Sequence, residues 1–192
     1  MASTAERILD SAQALTQTRG FNGFSYADIS RELAITKPSI HHHFPTKAGL
    51  AVAMITRYGE RFAAARREHE DVATSPGARL LGYAGLYAEV FADGGRMCLC
   101  GVLAADAASL PVEVRRATSA FFTDQQHWVS TTFVQAGLRP DEAGRAATAF
   151  LAALEGALLL SRADGPAGGP PGPVGGRVPG VASTLLDALL PR

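Results

Sequence analysis

TKPSIHHHFPTKAGL, residues 36–50, carries an early proline, three consecutive histidines and a second threonine followed by lysine. Thr36 opens a short helix with Pro38 in its first turn, where a missing N–H costs little. Ile40 and Phe44, four residues apart, are the pair that faces a core. Pro45-Thr46 ends that helix. Thr46 then caps a longer one that starts at Lys47 and runs through Leu50, Met54, Tyr58, Phe62 and Ala65 toward Glu68. Neighbouring helical residues point about 100° apart, so His41, His42 and His43 fan around the axis instead of converging on an ion. Histidine metal pairs on a helix sit four apart. An exposed imidazole can instead donate to a phosphate oxygen, and the three are read that way.

Working toward the N-terminus, Ile8, Leu9, Ala12 and Leu15 recur at helical spacing between Thr4 and Arg19. Ser3 or Thr4 can cap the start, and Gly20 supplies the stop. Phe21 and Phe24 follow as aromatic plugs between helices. Ser25 and Asp28 form a capping box for YADISRELAI, whose buried face is Ala27, Ile29 or Ser30, and Leu33-Ala34, with Ile35 ending the helix. Two short helices at a tight turn, braced on both sides, describe a helix-turn-helix unit. Its second short helix enters a DNA major groove with its N-terminal residues leading.

RILDSAQALTQTRGFNGFSYADISRELAITKPSIHHHFPTKAGL, within residues 4–50, resembles the DNA-binding domain of the tetracycline-repressor (TetR) family of bacterial transcriptional regulators. The resemblance implies that Ser25 and Tyr26 approach the phosphate backbone. It places Thr36, Lys37, Pro38 and Ser39 where the family reads base edges, with His41 and His42 continuing the exposed face. His43 resembles a backbone-contacting position, and Lys47 matches the lysine that opens the fourth helix. Its charge, together with the open N–H groups there, suits a phosphate on physical grounds as well. A tyrosine is usual at His41 and a small residue at Pro38, so base preference does not carry over from relatives.

The formal net charge is zero, but residues 1–67 hold nine Arg/Lys against five Asp/Glu, leaving an acidic remainder. A mildly basic front on an acidic back suits an anion-binding module fused to something else. The first ten residues contain acids and no long apolar run, unlike a signal peptide. No uncharged apolar run reaches the length of a membrane span: AATAFLAALEGALLL is interrupted by Glu155. No membrane association is expected, and a cytoplasmic location is. Cys98 and Cys100 are too few for a disulfide framework or a closed zinc site. Packing as small hydrophobes, lining a pocket and sensing thiol chemistry stay open for them.

Beyond residue 71, helical periodicity continues without a convincing strand. One segment places Leu80, Leu81, Ala84, Tyr87 and Phe91 on a stripe, and RMCLCGVLAADAASLP is apolar almost all round. Helices follow from Pro111 to before Gly137 and from Pro140 through Phe150, Leu151, Leu154, Leu158 and Leu159. CLCGVLAADAASLPVEVRRATSAFF also resembles the ligand-domain signature of a metabolite-sensing, acrylate-sensor-like subset of the same family. That resemblance implies a pocket, for which Leu86, Val90, Cys98, Val102, Phe122, His127 and Trp128 are candidates. The stretch 164–180, dense in Gly and Pro, reads as a flexible loop. VASTLLDALL after it is a short helix that must dock to be stable.

The expectation is an all-α chain: a helix-turn-helix DNA-binding domain over residues 1–50 and a helical ligand-binding and dimerisation domain over 51–192. It predicts a homodimer on double-stranded operator DNA, released by a small-molecule effector that the sequence does not identify. Phe150, Leu151, Leu154, Leu158, Leu185 and Leu189 are the candidate dimer contacts. No cofactor or metal is implied, and no nucleophile–base or acid–acid pair marks an enzyme. The alternative is a helical small-molecule binding protein with no DNA-binding role.

Overall fold

The computed structural model describes residues 3–164 and 176–190, and every element among them is helical. The chain divides into two compact units, Met1–Glu60 with Leu99–Phe121, and Arg61–Cys98 with Phe122–Arg192. The expected division by role at residue 50 is a different cut. By contacts the chain enters the front unit twice, because a later helix returns to pack on the first.

In the front unit, α1 (Thr4–Arg19) starts at a complete capping box: Ser3 Oγ accepts from Glu6 N, and the Glu6 carboxylate accepts from Ser3 N. Gly20 ends it at φ 77°, ψ 166°, backbone that only glycine adopts easily. A Cβ there would also meet Asp106 Oδ2 at 3.0 Å. Ile8, Leu9, Ala12 and Leu15 form the buried stripe, and Phe21 and Phe24 are buried beside it. Next comes α2 (Tyr26–Leu33), capped by Ser25 and Asp28. Its buried residues are Tyr26 and Ile29, while Ala34 is exposed in the left-handed conformation, φ 54°. The expected burial of Ala34 therefore fails because the turn, not the helix face, sets its direction.

Thr36 Oγ1 accepts from Ser39 N and opens α3 (Lys37–His43). Thr46 Oγ1 accepts from Gly49 N at the start of α4 (Lys47–Val72), of which residues up to Glu60 belong to this unit. Arg57 bonds the Glu6 carbonyl at 3.2 Å and pairs with Asp10 at 2.8 Å, tying α4 to α1. The returning pieces are α6 (Leu99–Ala105) and the first part of α7 (Val112–Gln135).

The second unit is built on α5 (Pro76–Ala92), α8 (Pro140–Ala163) and α9 (Val178–Leu189), with the later parts of α4 and α7. Its core includes Phe62, Leu80, Tyr83, Tyr87, Phe133, Phe150, Leu154 and Leu158. Leu81 is 48% exposed, outside the stripe expected for it, since α5 turns Tyr83, Ala84 and Leu86 inward. Among the described residues, α8 is the helix long and apolar enough to cross a membrane. Its Phe150, Leu154 and Leu158 are fully buried within the unit.

Most of the expected loop at 164–180 lies outside the described residues, but Val178–Gly180 already belong to α9. Gly176 (φ 65°) rests on Ser161, leaving no room for a Cβ. α9 docks on α5 and α8, as a helix of its length must.

Candidate nucleic-acid interface and buried polar cluster

The candidate surface on α3 is organised from underneath. Ile40 is fully buried and roots α3. Tyr26, on α2, donates its hydroxyl to the Phe44 carbonyl at 2.8 Å, holding the C-terminal end of α3. Its ring meets His41 edge-on, centroids 4.8 Å apart, and burial raises its pKa. Between the two helices, Ala34 N–H and Ile35 N–H both donate to Ser30 O, and Ser30 Oγ donates to Ile35 O. These bonds fix the turn angle and hence the direction of α3.

Thr36, Lys37, Pro38, His41, His42 and His43 are exposed, and Ser39 is half-buried. No acid lies on α3, so its outer face offers donors and a positive charge without local repulsion of a phosphate. His41 Nδ1 lies 3.2 Å from Pro45 O, and His42 and His43 meet edge-on at 5.4 Å. Ser25 is exposed, but its hydroxyl is engaged with Asp28 Oδ2 at 2.8 Å. That bond leads the effects that hold the Asp28 carboxyl below its usual pKa.

Two of the expected DNA contacts are turned inward. Tyr26 has its hydroxyl committed to Phe44. Lys47 donates its ammonium to the carbonyls of Phe21 and Phe24 and lies over both rings, 4.6 and 4.1 Å from their centroids. Partial burial lowers its pKa. In this geometry Lys47 braces the front unit instead of reaching outward, because two orphan carbonyls and two aromatic faces give its charge better partners than water.

The expected pocket residues are divided between the two units. Val102 belongs to the front unit, His127 is exposed, and Val90 and Phe122 are half-buried. Leu86 and Cys98 are buried. Trp128 stacks on Tyr83 at 5.2 Å, donates Nε1 to Glu70, and carries the Arg66 guanidinium over its ring at 5.1 Å. An open groove of about 640 Å³ lies elsewhere in the unit, lined by Leu138, Glu142, Arg145 and Ala149 with Leu189 and Leu190, and none of the expected pocket residues.

Sequence reasoning passed over a buried polar cluster. Tyr83 donates to Gln125 Oε1 at 3.2 Å and sits 3.3 Å from the Tyr87 hydroxyl. Glu155 on α8 shares a hydrogen bond with Cys98, and burial pushes its pKa up to about 7. A charged residue inside the apolar run AATAFLAALEGALLL was the available signal. Glu155 is half-buried with one carboxyl oxygen sealed from solvent, which the helix periodicity alone does not report.

The dimer candidates are also redistributed. Phe150, Leu151, Leu154 and Leu158 are buried within their own chain, while Leu185 and Leu189 are half-buried. The apolar side of α8 that stays open carries Leu159 and Leu160, 62% and 56% exposed.

Two short helices joined by a hydrogen-bonded turn, the second free of acids, form the helix-turn-helix arrangement that DNA-binding regulators use. Residues 8–54 match the family described as bacterial regulatory proteins, tetR family, and residues 82–167 match the LmrA/YxaF-like transcriptional regulator C-terminal domain. A TetR transcriptional regulator from Legionella pneumophila is 28% identical, with a TM-score of 0.89 over 100% of this chain and 99% of its own. A TetR-family regulator from Agrobacterium tumefaciens is 30% identical, with a TM-score of 0.84 over 97% of each chain. The regulatory protein TetR from Rhodobacter sphaeroides, 22% identical with a TM-score of 0.80 over 97% of each chain, shares the fold. Comparison with curated protein sequences gave no match.

The chain belongs to the TetR family of bacterial transcriptional regulators. It is therefore a ligand-responsive DNA-binding regulator and not an enzyme, which decides between the two readings the sequence left open. The second half is similar to the LmrA/YxaF-like group.

Proposed function

We propose that this protein is a repressor that binds a partly palindromic operator as a homodimer in the cytoplasm and leaves it when a small molecule binds the second unit. The exposed, acid-free face of α3, clamped by Tyr26 and Ile40, is the observation that carries this reading. Thr36, Lys37, Pro38 and Ser39 read base edges, and His41, His42 and His43 with Ser25 meet the backbone. Tyr26 and Lys47 act by positioning α3.

Two copies join through the outer sides of α8 and α9. Ala149, Ala152, Leu159 and Leu160 recur along one exposed side of α8, and Gly180, Thr184 and Ala188 are exposed at four-residue intervals on α9. Small side chains allow two helices to approach closely, and the leucines supply apolar area. An effector then favours a dimer whose two reading helices no longer match the half-site spacing.

Nuclease protection with promoter fragments flanking the protein's own gene is the test. A protected, two-fold symmetric stretch, lost when Lys37 and Ser39 are both changed to alanine, is the expected result. Protection with no sequence preference overturns operator recognition by α3. Repression follows if the protected stretch overlaps the promoter and deletion of the gene raises transcription from it.

A further inference from the structure

In the second unit, polar atoms are buried where hydrophobic packing alone would be more stable. Glu155 Oε1 is sealed from solvent and has no hydrogen-bond partner. The carboxyl's hydrogen bond is to Cys98, and no cation among the described residues contributes to its electrostatics. Tyr83 and Tyr87 are near enough to feel its charge. Phe62 meets both tyrosines edge-on at 5.6 Å, and Phe150 lies 6.5 Å from Tyr83. Arg66, a cation that acts on Tyr83, lies over Trp128 and pairs with Asp124.

A carboxyl without a donor on one oxygen is costly unless something supplies that donor. The two electron-rich phenol rings close enough to feel its charge favour a cation over a neutral donor. We infer that Glu155 is the recognition group for the effector and that the effector is an organic amine, its ammonium donating to Oε1 and its apolar body facing the Phe62, Tyr83 and Tyr87 rings. The inference rests on the regulator reading only in calling this ligand an effector.

The amine pairs with the ionised carboxylate. With the Glu155 pKa pushed up to about 7 by burial, amine affinity rises as pH increases through that value. Cys98, Tyr83 and Tyr87 are the titratable groups around it, and burial holds both phenols protonated above the usual tyrosine range. Between Glu155 and the two phenols, Glu155 is the group that changes charge in this window.

The experiment uses the full chain, with calorimetric titration and the fluorescence of Trp128, the single tryptophan, stacked on Tyr83. Phenethylamine is the probe, compared with its neutral and anionic counterparts, 2-phenylethanol and 3-phenylpropionate. The amine is expected to bind about tenfold more tightly than the alcohol, as a charge-assisted hydrogen bond requires, and the carboxylate least of all. Glu155→Gln should erase the preference and its pH dependence. Glu155→Leu should raise the melting temperature while abolishing amine binding, because an apolar side chain suits the core better than an unsatisfied carboxyl.

Equal binding of amine and alcohol, no amine binding, or an amine preference that survives Glu155→Gln with native circular dichroism overturns the inference. A lower melting temperature for Glu155→Leu would likewise make Glu155 a structural group. The titrations contain no DNA, so a failure of operator recognition leaves them untouched. Operator binding without amine preference removes this inference alone.

Discussion

Replacing Lys47 by methionine separates bracing from phosphate contact. The ammonium holds the Phe21 and Phe24 carbonyls and both rings, while the aliphatic stem packs in the same place. Methionine keeps most of the stem and removes the charge. Each charged hydrogen bond contributes about 1.5–3 kcal/mol when protected, and partial exposure reduces that, so the loss for the pair is about 2 kcal/mol. A lost phosphate contact would instead lower the slope of log affinity against log salt by about 0.9. Fluorescence anisotropy on an operator fragment between 50 and 200 mM salt, roughly the range in which such slopes are read, gives one quantity. Thermal unfolding gives the other. The expected result for Lys47→Met is a lower melting temperature, weaker binding to all DNA and an unchanged slope. Lys37→Ala, on the exposed side of α3, should show the reverse: unchanged stability and a slope reduced by about 0.9. An unchanged melting temperature with a reduced slope in Lys47→Met would refute the bracing geometry.

Changing Leu159 and Leu160 together to glutamate should yield a folded monomer in sedimentation equilibrium, with operator binding lost; an intact dimer rules out this side of α8. Leu154→Glu should instead unfold the second unit, costing about 4 kcal/mol or more, seen as lost helicity by circular dichroism, because Leu154 is fully buried. Ala34→Gly should stabilise the front unit by about 0.5–1 kcal/mol by relieving the left-handed backbone at φ 54°, and a destabilised variant in thermal unfolding would contradict it. For Glu155, the folded state keeps a proton up to about pH 7 that the unfolded chain releases near 4.5. Stability therefore falls as pH rises across that window and is level above it. Urea unfolding should show a loss of about 3 kcal/mol at most in the unaltered chain, absent in Glu155→Gln.

Local rules were legible where the physics is local. Ser25 with Asp28, Thr36 before Pro38, and Gly20 after Arg19 set helix ends through bonds spanning a few residues, and the structure keeps each one. The alternation of helix and turn over 4–50 was enough to expect the helix-turn-helix unit, and the particular residues along it carried the resemblance to the family. The all-α second half was legible too, since no segment there alternates with a strand's period.

What the sequence left undecided is which partner a side chain finds. Tyr26 and Lys47 looked outward by position, yet bonds to Phe44, Phe21 and Phe24 turn them in, and those acceptors lie 18 to 26 residues away. On α8, apolar residues occur on more than one side, so periodicity could not tell the face packed on its own unit, with Leu154 and Leu158, from the one left open, with Leu159 and Leu160. Residues 99–121 joining the front unit, and the placing of the Glu155 carboxyl beside Cys98 and near the tyrosines, are likewise long-range outcomes. Caps and periods are written in neighbouring residues and survive as sequence. Burial and charge pairing depend on which segments meet, and only the tertiary structure decides that.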